Sequence, residues 1–240
     1  MTKRIGMLTA CVFLALVAAA QGLAAAQNDD LRLRIFVHHP KHPGKATSSC
    51  AVTLNDQVNH YGLTGWHMPT GGMPYRINYA SKPSNLSNDD VLLTLAAAFG
   101  AWTAADPKQI FYYDGPTAAK TARLDGVSAL LWKPLGRNTI AVTYCWYLSS
   151  TGVLVETDTM FNKAYKWSVT DPSAGDCAGV FNAYDLQDIA THEFGHWVGL
   201  DDLYADADAD LTMYGYGELG ELKKDTLGLG DLTGANTVAP

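Results

Sequence analysis

The chain has 240 residues, 48% of them hydrophobic and only 17% charged, which suffices for one sizeable core and excludes wholesale disorder. Acidic residues (24) outnumber lysine and arginine (17), so the formal net charge is −7. Because the phosphate backbone demands a basic surface, this balance excludes a nucleic acid as the partner.

The N-terminus is typical of a secretory signal. Lys3 and Arg4 precede an apolar run over 5–20, and the alanines at 24–26 offer a cleavage point before a polar stretch. The run is shorter than the about 20 residues of a membrane span. We therefore predict a signal peptide over 1–26 and a secreted, extracellular chain with no stable membrane span. Its net charge is about −9 after cleavage, because the signal holds two basic and no acidic residues. An uncleaved anchor at the cell surface is the alternative.

Three cysteines remain after cleavage, namely Cys50, Cys145 and Cys177. Export permits a disulfide, but an odd number leaves at least one thiol unpaired. Cys145 with Cys177 is the preferred pair, because both lie in the body of the predicted domain. None of the three has the close Cys or His neighbours of a structural zinc site.

Residues 27–70 carry little regular pattern and are rich in turn-forming residues. The histidines of this segment are His38, His39 and His42. Because prolines interrupt the chain beside them, we predict an irregular N-terminal segment with these histidines in a solvated loop rather than at a metal. The segment is either a removable pro-segment or a linker. A glycine-rich turn then opens the compact domain, over 71–240.

From position 75 the pattern becomes regular. Alternation predicts a strand over 75–79, and Ser87 can cap a helix that runs to about position 104. Four further strand-like runs follow, over 110–113, 127–132, 140–146 and 153–161. A second helix is predicted over 184–198, ended by Gly199, and a short helix close to the C-terminus. This order of elements predicts an α+β fold with a sheet covered by helices.

The segment with recognisable chemistry lies in the second helix, where His192, Glu193 and His196 form the pattern His-Glu-x-x-His. Residues four apart lie about 40° apart in helical projection, so both imidazoles can bind one zinc ion. Glu193 lies about 100° around from His192, close enough to act on a zinc-bound water without being a ligand. For this pattern alone, an ordinary buried helix with two incidental histidines is the alternative.

A third ligand is predicted beyond the end of this helix. Gly199 allows a sharp turn, because glycine tolerates left-handed dihedrals, and the turn brings Asp202 back toward the two histidines. A carboxylate oxygen is a ligand that zinc accepts, and a fourth position stays open for water. Asp201 has a spacing one residue short and is the fallback ligand.

A methionine follows in a turn rich in Gly and Tyr, with Met213 beside Tyr214 and Tyr216. The zinc motif together with this Met-turn resembles the metzincin peptidases, and the aspartate in place of their usual third histidine resembles the snapalysin group. Over about 60–236 the chain is similar to bacterial and archaeal matrixin-like proteins. The resemblance implies a metzincin-like twisted mixed sheet, an active-site helix and a small loop-rich C-terminal subdomain. It also implies that Met213 supports the ligands by packing.

Three weaker signals are weighed against the same resemblance. Tyr214 and Tyr216 are each one residue away from the spacing of the zinc-binding tyrosine of astacins and serralysins, so neither is assigned to zinc. We assign them to packing in the core or the cleft, with contact to the transition state as the alternative. Matrixins often carry structural calcium, which makes the alternating aspartates at 206–210 a candidate Ca²⁺ site beside the interpretation of a solvated acidic loop. Cys50 lacks the surroundings of the latency cysteine of matrixin pro-segments, which favours a free or intermolecular thiol.

Taken together, the motif and the resemblance predict a secreted zinc endopeptidase that acts on a protein or peptide substrate. The ligands are His192, His196 and Asp202, and Glu193 is the general base. The substrate is expected to be an extended peptide paired against a sheet edge. Cleavage specificity and oligomeric state are not predicted.

Two rival functions remain open. One is a gluzincin-type zinc peptidase with Glu218 or Glu221 as the third ligand, against which Gly199 and Met213 argue. The other is a non-enzymatic, exported zinc-binding module. Glu193 argues against the module, because a purely structural zinc site has no need of that residue.

Overall fold

The computed structural model describes residues 29–41, 53–170 and 179–238. Within these ranges the chain has an α+β fold, with a mixed seven-stranded sheet, a two-stranded pair and three α-helices. The predicted signal peptide, His42, Cys50 and Cys177 lie outside the described residues. No helix in the described ranges is both long and apolar enough to cross a membrane.

The nine strands are β1 (Leu31–Pro40), β2 (Met73–Ile77), β3 (Phe111–Pro116), β4 (Ala129–Lys133), β5 (Ala141–Leu148), β6 (Leu154–Asn162), β7 (Trp167–Ser168), β8 (Tyr184–Asp185) and β9 (Tyr216–Gly217) in the described residues. The large sheet has the strand order β3-β2-β4-β6-β5-β1-β9, and β7 and β8 form the small pair. Strands β2, β3, β4 and β6 run parallel to one another, whereas β5 is antiparallel to β6 and β1 is antiparallel to β5. Strand β9 pairs with β1 over two residues only.

Strand β1 corrects the sequence analysis. The prediction of an irregular segment is wrong over Leu31–Pro40, which pairs with β5 in register from Leu31 opposite Leu148 to His38 opposite Ala141. Side chains alternate along this strand, as pleating requires, and Phe36 and His38 are its buried residues. From 53 to 72 the chain is largely irregular, as predicted, apart from a short 3-10 turn at Leu54–Asp56.

The helices are α1 (Asn88–Ala105), α2 (Leu186–Val198) and α3 (Leu229–Thr237). A capping box begins α1, where the Ser87 hydroxyl accepts from the backbone N–H of Asp90 and the Asp90 carboxylate accepts from that of Ser87. Asp185 caps α2 by accepting from two backbone N–H groups of the first turn, and the helix ends at Gly199. The predicted helices and strands are thus confirmed, with ends shifted by a few residues.

The apolar core lies between the sheet and the two long helices. Phe99 of α1 stacks on Phe194 of α2 with ring centroids 3.6 Å apart, and it also contacts Tyr75 of β2 and Phe111 of β3. The indole Nε1 of Trp197 in α2 donates a hydrogen bond to Thr159 Oγ1 of β6. This packing fixes α2 beneath β5 and β6, which positions the histidine motif against the sheet.

Cys145 lies in β5 and is a free, fully buried thiol, so the preferred pairing with Cys177 is wrong. Its Sγ lies 3.9 Å from the backbone carbonyl oxygen of His196. Because alternate residues of a half-buried strand face the core, Cys145 points at α2 rather than outward. Burial raises the pKa of this thiol well above its usual value.

Candidate metal centre

Helix α2 carries His192 and His196 one turn apart, both almost fully buried, with ring centroids 5.1 Å apart. The Nδ1 of His192 lies 2.8 Å from the carbonyl oxygen of Thr212, and that of His196 lies 2.9 Å from the carbonyl oxygen of Leu200. A carbonyl can only accept, so each Nδ1 carries the proton. Both Nε2 atoms are therefore left with a free lone pair, which is the arrangement of a metal-binding imidazole.

Gly199 reverses the chain after α2. Its φ is +119°, and a Cβ at this position would lie 2.4 Å from the carbonyl oxygen of Trp66, so no other residue fits. The reversal places Asp202 Oδ1 3.2 Å from His192 Nε2 and 3.6 Å from His196 Nε2. A tetrahedral zinc ion with bonds of about 2.0–2.1 Å separates its ligand atoms by about 3.3–3.4 Å. The three side chains are therefore spaced as zinc ligands would be.

The atoms that face this point lack protein partners. His192 Nε2, Asp202 Oδ1, Glu193 Oε1 and His38 Nδ1 are all buried without a hydrogen bond. Buried polar groups are rarely left unpaired unless a water or an ion satisfies them. Two groups of potential ligands overlap here, one made of His192, His196 and Asp202 and one made of His38, His192 and Glu193. The residues present can hold a metal ion, and two imidazoles with one carboxylate are a donor set that suits zinc.

The ionisation states also suit a metal. Burial lowers the pKa of His196 to about 4, so its imidazole is neutral at neutral pH. Burial raises the pKa of Asp202, but His196 and His192 outweigh this effect and bring the pKa down to about 2. A neutral imidazole and an ionised carboxylate are the forms that bind a metal, so no proton has to leave these two groups at neutral pH.

Glu193 is fully buried between α2 and the sheet. Its Oε2 accepts a hydrogen bond of 2.5 Å from Thr143 Oγ1 of β5, and its Oε1 lies 3.4 Å from His38 Nδ1 of β1. Burial raises the pKa of Glu193 to about 8, against the opposing effect of the Thr143 bond. The carboxyl group thus lies beside the ligand cluster and is held from the sheet side.

A chain of hydrogen bonds ends at Glu193. The indole Nε1 of Trp197 donates to Thr159 Oγ1 at 3.1 Å, and Thr159 Oγ1 lies 2.8 Å from Thr143 Oγ1. An indole N–H can only donate and an ionised carboxylate can only accept. When Glu193 is ionised, all the hydrogen bonds of this series therefore donate in one direction. Trp197 donates to Thr159, Thr159 donates to Thr143, and Thr143 donates to Glu193.

The turn containing Met213 packs directly against α2. A Cβ added to Gly195 would lie 2.1 Å from Met213 Sδ, so the thioether fills the space that this glycine leaves in α2. The preceding residue, Thr212, provides the carbonyl that bonds to His192. The carboxylate of Asp231 accepts from the backbone N–H groups of Thr212 and Met213 at 2.7 and 3.0 Å. Met213 is thus placed as packing beside the cluster, and α3 anchors its turn.

Sequence reasoning missed the tyrosine that reaches the cluster. Tyr204 donates a hydrogen bond of 3.1 Å to Asp202 Oδ2, the oxygen that faces away from the histidines. Tyr214 and Tyr216, the predicted tyrosines, lie with ring centroids 5.4 Å apart, and the Tyr216 ring packs edge-on against Tyr204. The only sequence signal for this contact is that Tyr204 follows the candidate ligand Asp202 by two residues.

Strand β1 provides the second missed group. His38 is 1% exposed and stacks on the ring of His192 at a centroid distance of 3.8 Å, so its prediction as a solvated residue is wrong. Its Nε2 lies 3.2 Å from Nζ of Lys224, which also donates to two backbone carbonyls. Phe36 stacks on His196 at the same distance, with an interplanar angle of 12°. His38 and Phe36 therefore cover the candidate ligands.

The other ligands considered from the sequence are engaged elsewhere. Asp201 accepts two hydrogen bonds of 2.7 Å from Arg34 and is not part of either ligand group, so its fallback role is wrong. Glu218 pairs with Lys41 at 2.7 Å, and Glu221 accepts from the backbone N–H of Glu218. Neither glutamate belongs to a ligand group in the described part of the chain.

The aspartates at 206–210 do not converge on one point among the described residues. Asp208 pairs with His60 at 2.8 Å, and Asp210 lies 3.9 Å from Nζ of Lys223. Asp208 is 4% exposed, so the interpretation of a solvated acidic loop does not hold at this residue.

No protein-family model and no curated protein matches this chain. The functional interpretation therefore rests on the geometry of the cluster and on the chemistry of its side chains.

Proposed function

We propose that this chain is a zinc-dependent endopeptidase of the metzincin type, with aspartate in place of the third histidine. The observation that carries the proposal is the convergence of unpartnered His192 Nε2, Asp202 Oδ1 and Glu193 Oε1 in one buried place. A purely structural metal site would need the ligands alone, whereas hydrolysis also needs a carboxylate beside them.

Each residue has a role that its position supports. When bound, zinc would act as a Lewis acid on the scissile carbonyl and lower the pKa of a water molecule. In its ionised form Glu193 would take the proton of the attacking water and pass it to the leaving amine. Thr143 keeps the carboxylate of Glu193 oriented, and Met213 packs against the helix that carries the ligands. Tyr204 orients the Asp202 carboxylate through its hydrogen bond.

The proposed substrate is a protein or an extended peptide. A peptide that pairs with a sheet edge gains main-chain hydrogen bonds along its length, and β5 is the strand that runs over α2 and supplies Thr143 to the site. Cleavage would then take place where such a peptide passes Glu193. The chain is proposed to act outside the cell, in keeping with the signal peptide predicted over 1–26.

A non-enzymatic metal-binding module is the second candidate, because Phe36 and His38 of β1 cover the ligands. It predicts metal binding without hydrolysis under any condition. The gluzincin-type alternative is less well supported, because Glu218 and Glu221 lie outside the ligand groups.

Hydrolysis by the purified chain, produced without the predicted signal peptide, tests the proposal. Wild type and Glu193→Gln would be compared for cleavage of casein and of a mixed peptide library, with bound zinc counted in both. We expect one zinc ion in each protein and cleavage by the wild type alone. Equal cleavage by the two proteins, or no bound zinc in the wild type, would overturn the proposal.

A further inference from the structure

Lys224, in the 3-10 turn Lys223–Asp225, carries a buried ammonium group close to the candidate metal centre. The residue is fully buried, and its Nζ donates to the backbone carbonyl oxygens of Tyr214 and Tyr216 at 2.8 and 2.7 Å. The third partner of Nζ is His38 Nε2, at 3.2 Å. An ammonium group has three N–H donors and no acceptor, so these three contacts use all of its donors.

The ammonium of Lys224 has no counter-ion. No carboxylate among the described residues forms an ion pair with it, whereas Nζ of the neighbouring Lys223 lies 3.2 Å from a carboxylate oxygen of Glu221. Asp188 accepts a hydrogen bond from the backbone N–H of Lys224. A charge that is removed from water is costly unless an opposite charge compensates it. Lys224 is therefore a buried cation to which an anionic group would bind well.

The imidazole of His38 marks a slot that joins this cation to the proposed base. Because Lys224 donates to Nε2 of the ring, the ring proton is on Nδ1, which lies 3.4 Å from Glu193 Oε1. The ring also stacks on His192 at a centroid distance of 3.8 Å. The slot thus begins beside Glu193, runs along His192 and ends at the ammonium of Lys224.

We propose that Lys224 selects the substrate, by binding an acidic side chain, glutamate above all, next to the bond that is cleaved. This inference rests on the proposed function, in which a peptide carbonyl lies beside Glu193 and one adjacent side chain enters the slot. A glutamate side chain reaches about as far from its Cα as Nε2 of a histidine does. Its carboxylate can therefore accept the N–H that His38 accepts here, and it also supplies the charge that the ammonium lacks.

Other side chains fit the end of the slot less well. Glutamine has the same length and supplies an acceptor oxygen, but it brings no charge. Leucine leaves the buried ammonium of Lys224 without its third acceptor, and lysine places a second positive charge beside it. A site built for a polar group discriminates strongly against a side chain that leaves its own buried polar atoms unpaired.

Matched peptides test this selection with the purified chain, produced without the predicted signal peptide and loaded with zinc. Four blocked decapeptides of alanine and glycine differ only at one central residue, which is glutamate, glutamine, leucine or lysine. We expect kcat/KM for the glutamate peptide to exceed that for the glutamine peptide by at least about ten-fold, and those for the leucine and lysine peptides by at least about 100-fold. Hydrolysis of all four with equal kcat/KM would overturn the selection by Lys224 and leave the peptidase in place.

Substitutions at two neighbouring lysines separate selection from a structural role. Lys224→Met should reduce the glutamate-to-leucine ratio of kcat/KM from at least about 100 to about one or below, whereas Lys224→Arg should retain a preference for glutamate. Lys223→Met is the matched control and should keep the wild-type ratio. A purely structural lysine would change the rates for all four peptides alike, so a wild-type ratio in Lys224→Met would contradict the proposal. The wild-type ratios decide the matter if Lys224→Met does not fold.

Peptide binding distinguishes failure of this inference from failure of the proposed function. Calorimetric titration measures the dissociation constants of the same four peptides. Absence of hydrolysis, with the glutamate peptide bound at least about ten-fold more tightly than the glutamine peptide in the wild type but not in Lys224→Met, would support the acid-selective slot and contradict the peptidase. Absence of hydrolysis with no difference in binding would contradict both.

Discussion

Thr143 of β5 donates a hydrogen bond of 2.5 Å to the Glu193 carboxylate of α2, so the sheet holds the proposed base in place. Both residues are fully buried. The contact joins two elements that are 50 residues apart in sequence. It explains how a flexible glutamate can be kept in one orientation beside the ligands.

Replacing Thr143 with valine should impair the reaction without removing the metal. The shape is retained, but Glu193 loses its donor and can rotate, so we expect kcat to fall about 10- to 100-fold with KM and zinc content unchanged. Thr143→Ser keeps the hydroxyl and should restore most of the activity. Steady-state kinetics with metal analysis would check this, and a Thr143→Val enzyme with wild-type kcat would contradict the positioning role.

The adjacent aspartates at 201 and 202 provide a matched pair for zinc affinity. Asp202 faces the two histidines, whereas Asp201 pairs with Arg34. Asp202→Ala should weaken zinc binding by at least about 100-fold. Loss of a group that only contacts a ligand already lowers metal affinity by about 10- to 100-fold, and Asp202 is a candidate ligand itself. Asp201→Ala should leave zinc affinity close to that of the wild type. Competition with a chelating dye measures both constants, and equal effects of the two substitutions would remove Asp202 from the ligand set.

Gly195 should tolerate no side chain. A Cβ there would meet Met213 Sδ at 2.1 Å and the indole of Trp102 at 2.8 Å, and both neighbours are buried. We expect Gly195→Ala to lower the free energy of unfolding by about 1–3 kcal/mol through overpacking. At Gly100 of α1 an added Cβ meets nothing within 4 Å, so Gly100→Ala should raise stability by about 0.5–1 kcal/mol. Urea unfolding at fixed zinc concentration would measure the free energy of unfolding of both variants. If Gly195→Ala were as stable as the wild type, the turn around Met213 would have to move to accept the added methyl group at little cost, which would contradict the prediction.

Asp158 in β6 should make stability depend on pH. Burial raises its pKa from 3.8 to about 7, although its carboxylate accepts from the backbone N–H groups of Ala129 and Arg123. The folded chain therefore binds more protons than the unfolded chain between about pH 4 and pH 7, and the free energy of unfolding contributed by this group falls as pH rises through that window. Asp158→Asn should remove this dependence. Urea unfolding would give the free energy of unfolding of both proteins at pH 5 and at pH 8. The value for the wild type minus that for Asp158→Asn is expected to be larger at pH 5 than at pH 8. An equal difference at the two pH values would contradict this role of Asp158.

The sequence predicts the local part of the site well. The spacing of His192 and His196 is set by one turn of a helix, and Gly199 permits the reversal that returns Asp202. Both features depend on residues within about a dozen positions of each other, so helical periodicity and backbone sterics are sufficient to predict them from the sequence.

The parts that were missed depend on contacts between distant segments. His38 meets α2 only because β1 pairs with β5, more than a hundred residues later in the chain, and neighbouring prolines hid the strand pattern of β1. Cys145 was paired wrongly because its inward direction follows from the register of β5 in the sheet, which no local pattern reveals.

A crystal structure of the zinc-loaded chain, with anomalous data collected on both sides of the zinc absorption edge, tests the central claim most directly. We expect one zinc peak bonded to Nε2 of His192, Nε2 of His196 and Oδ1 of Asp202, with Glu193 beside it and not bonded. Absence of a zinc peak between these side chains, or a peak bonded to a different set of residues, would contradict it.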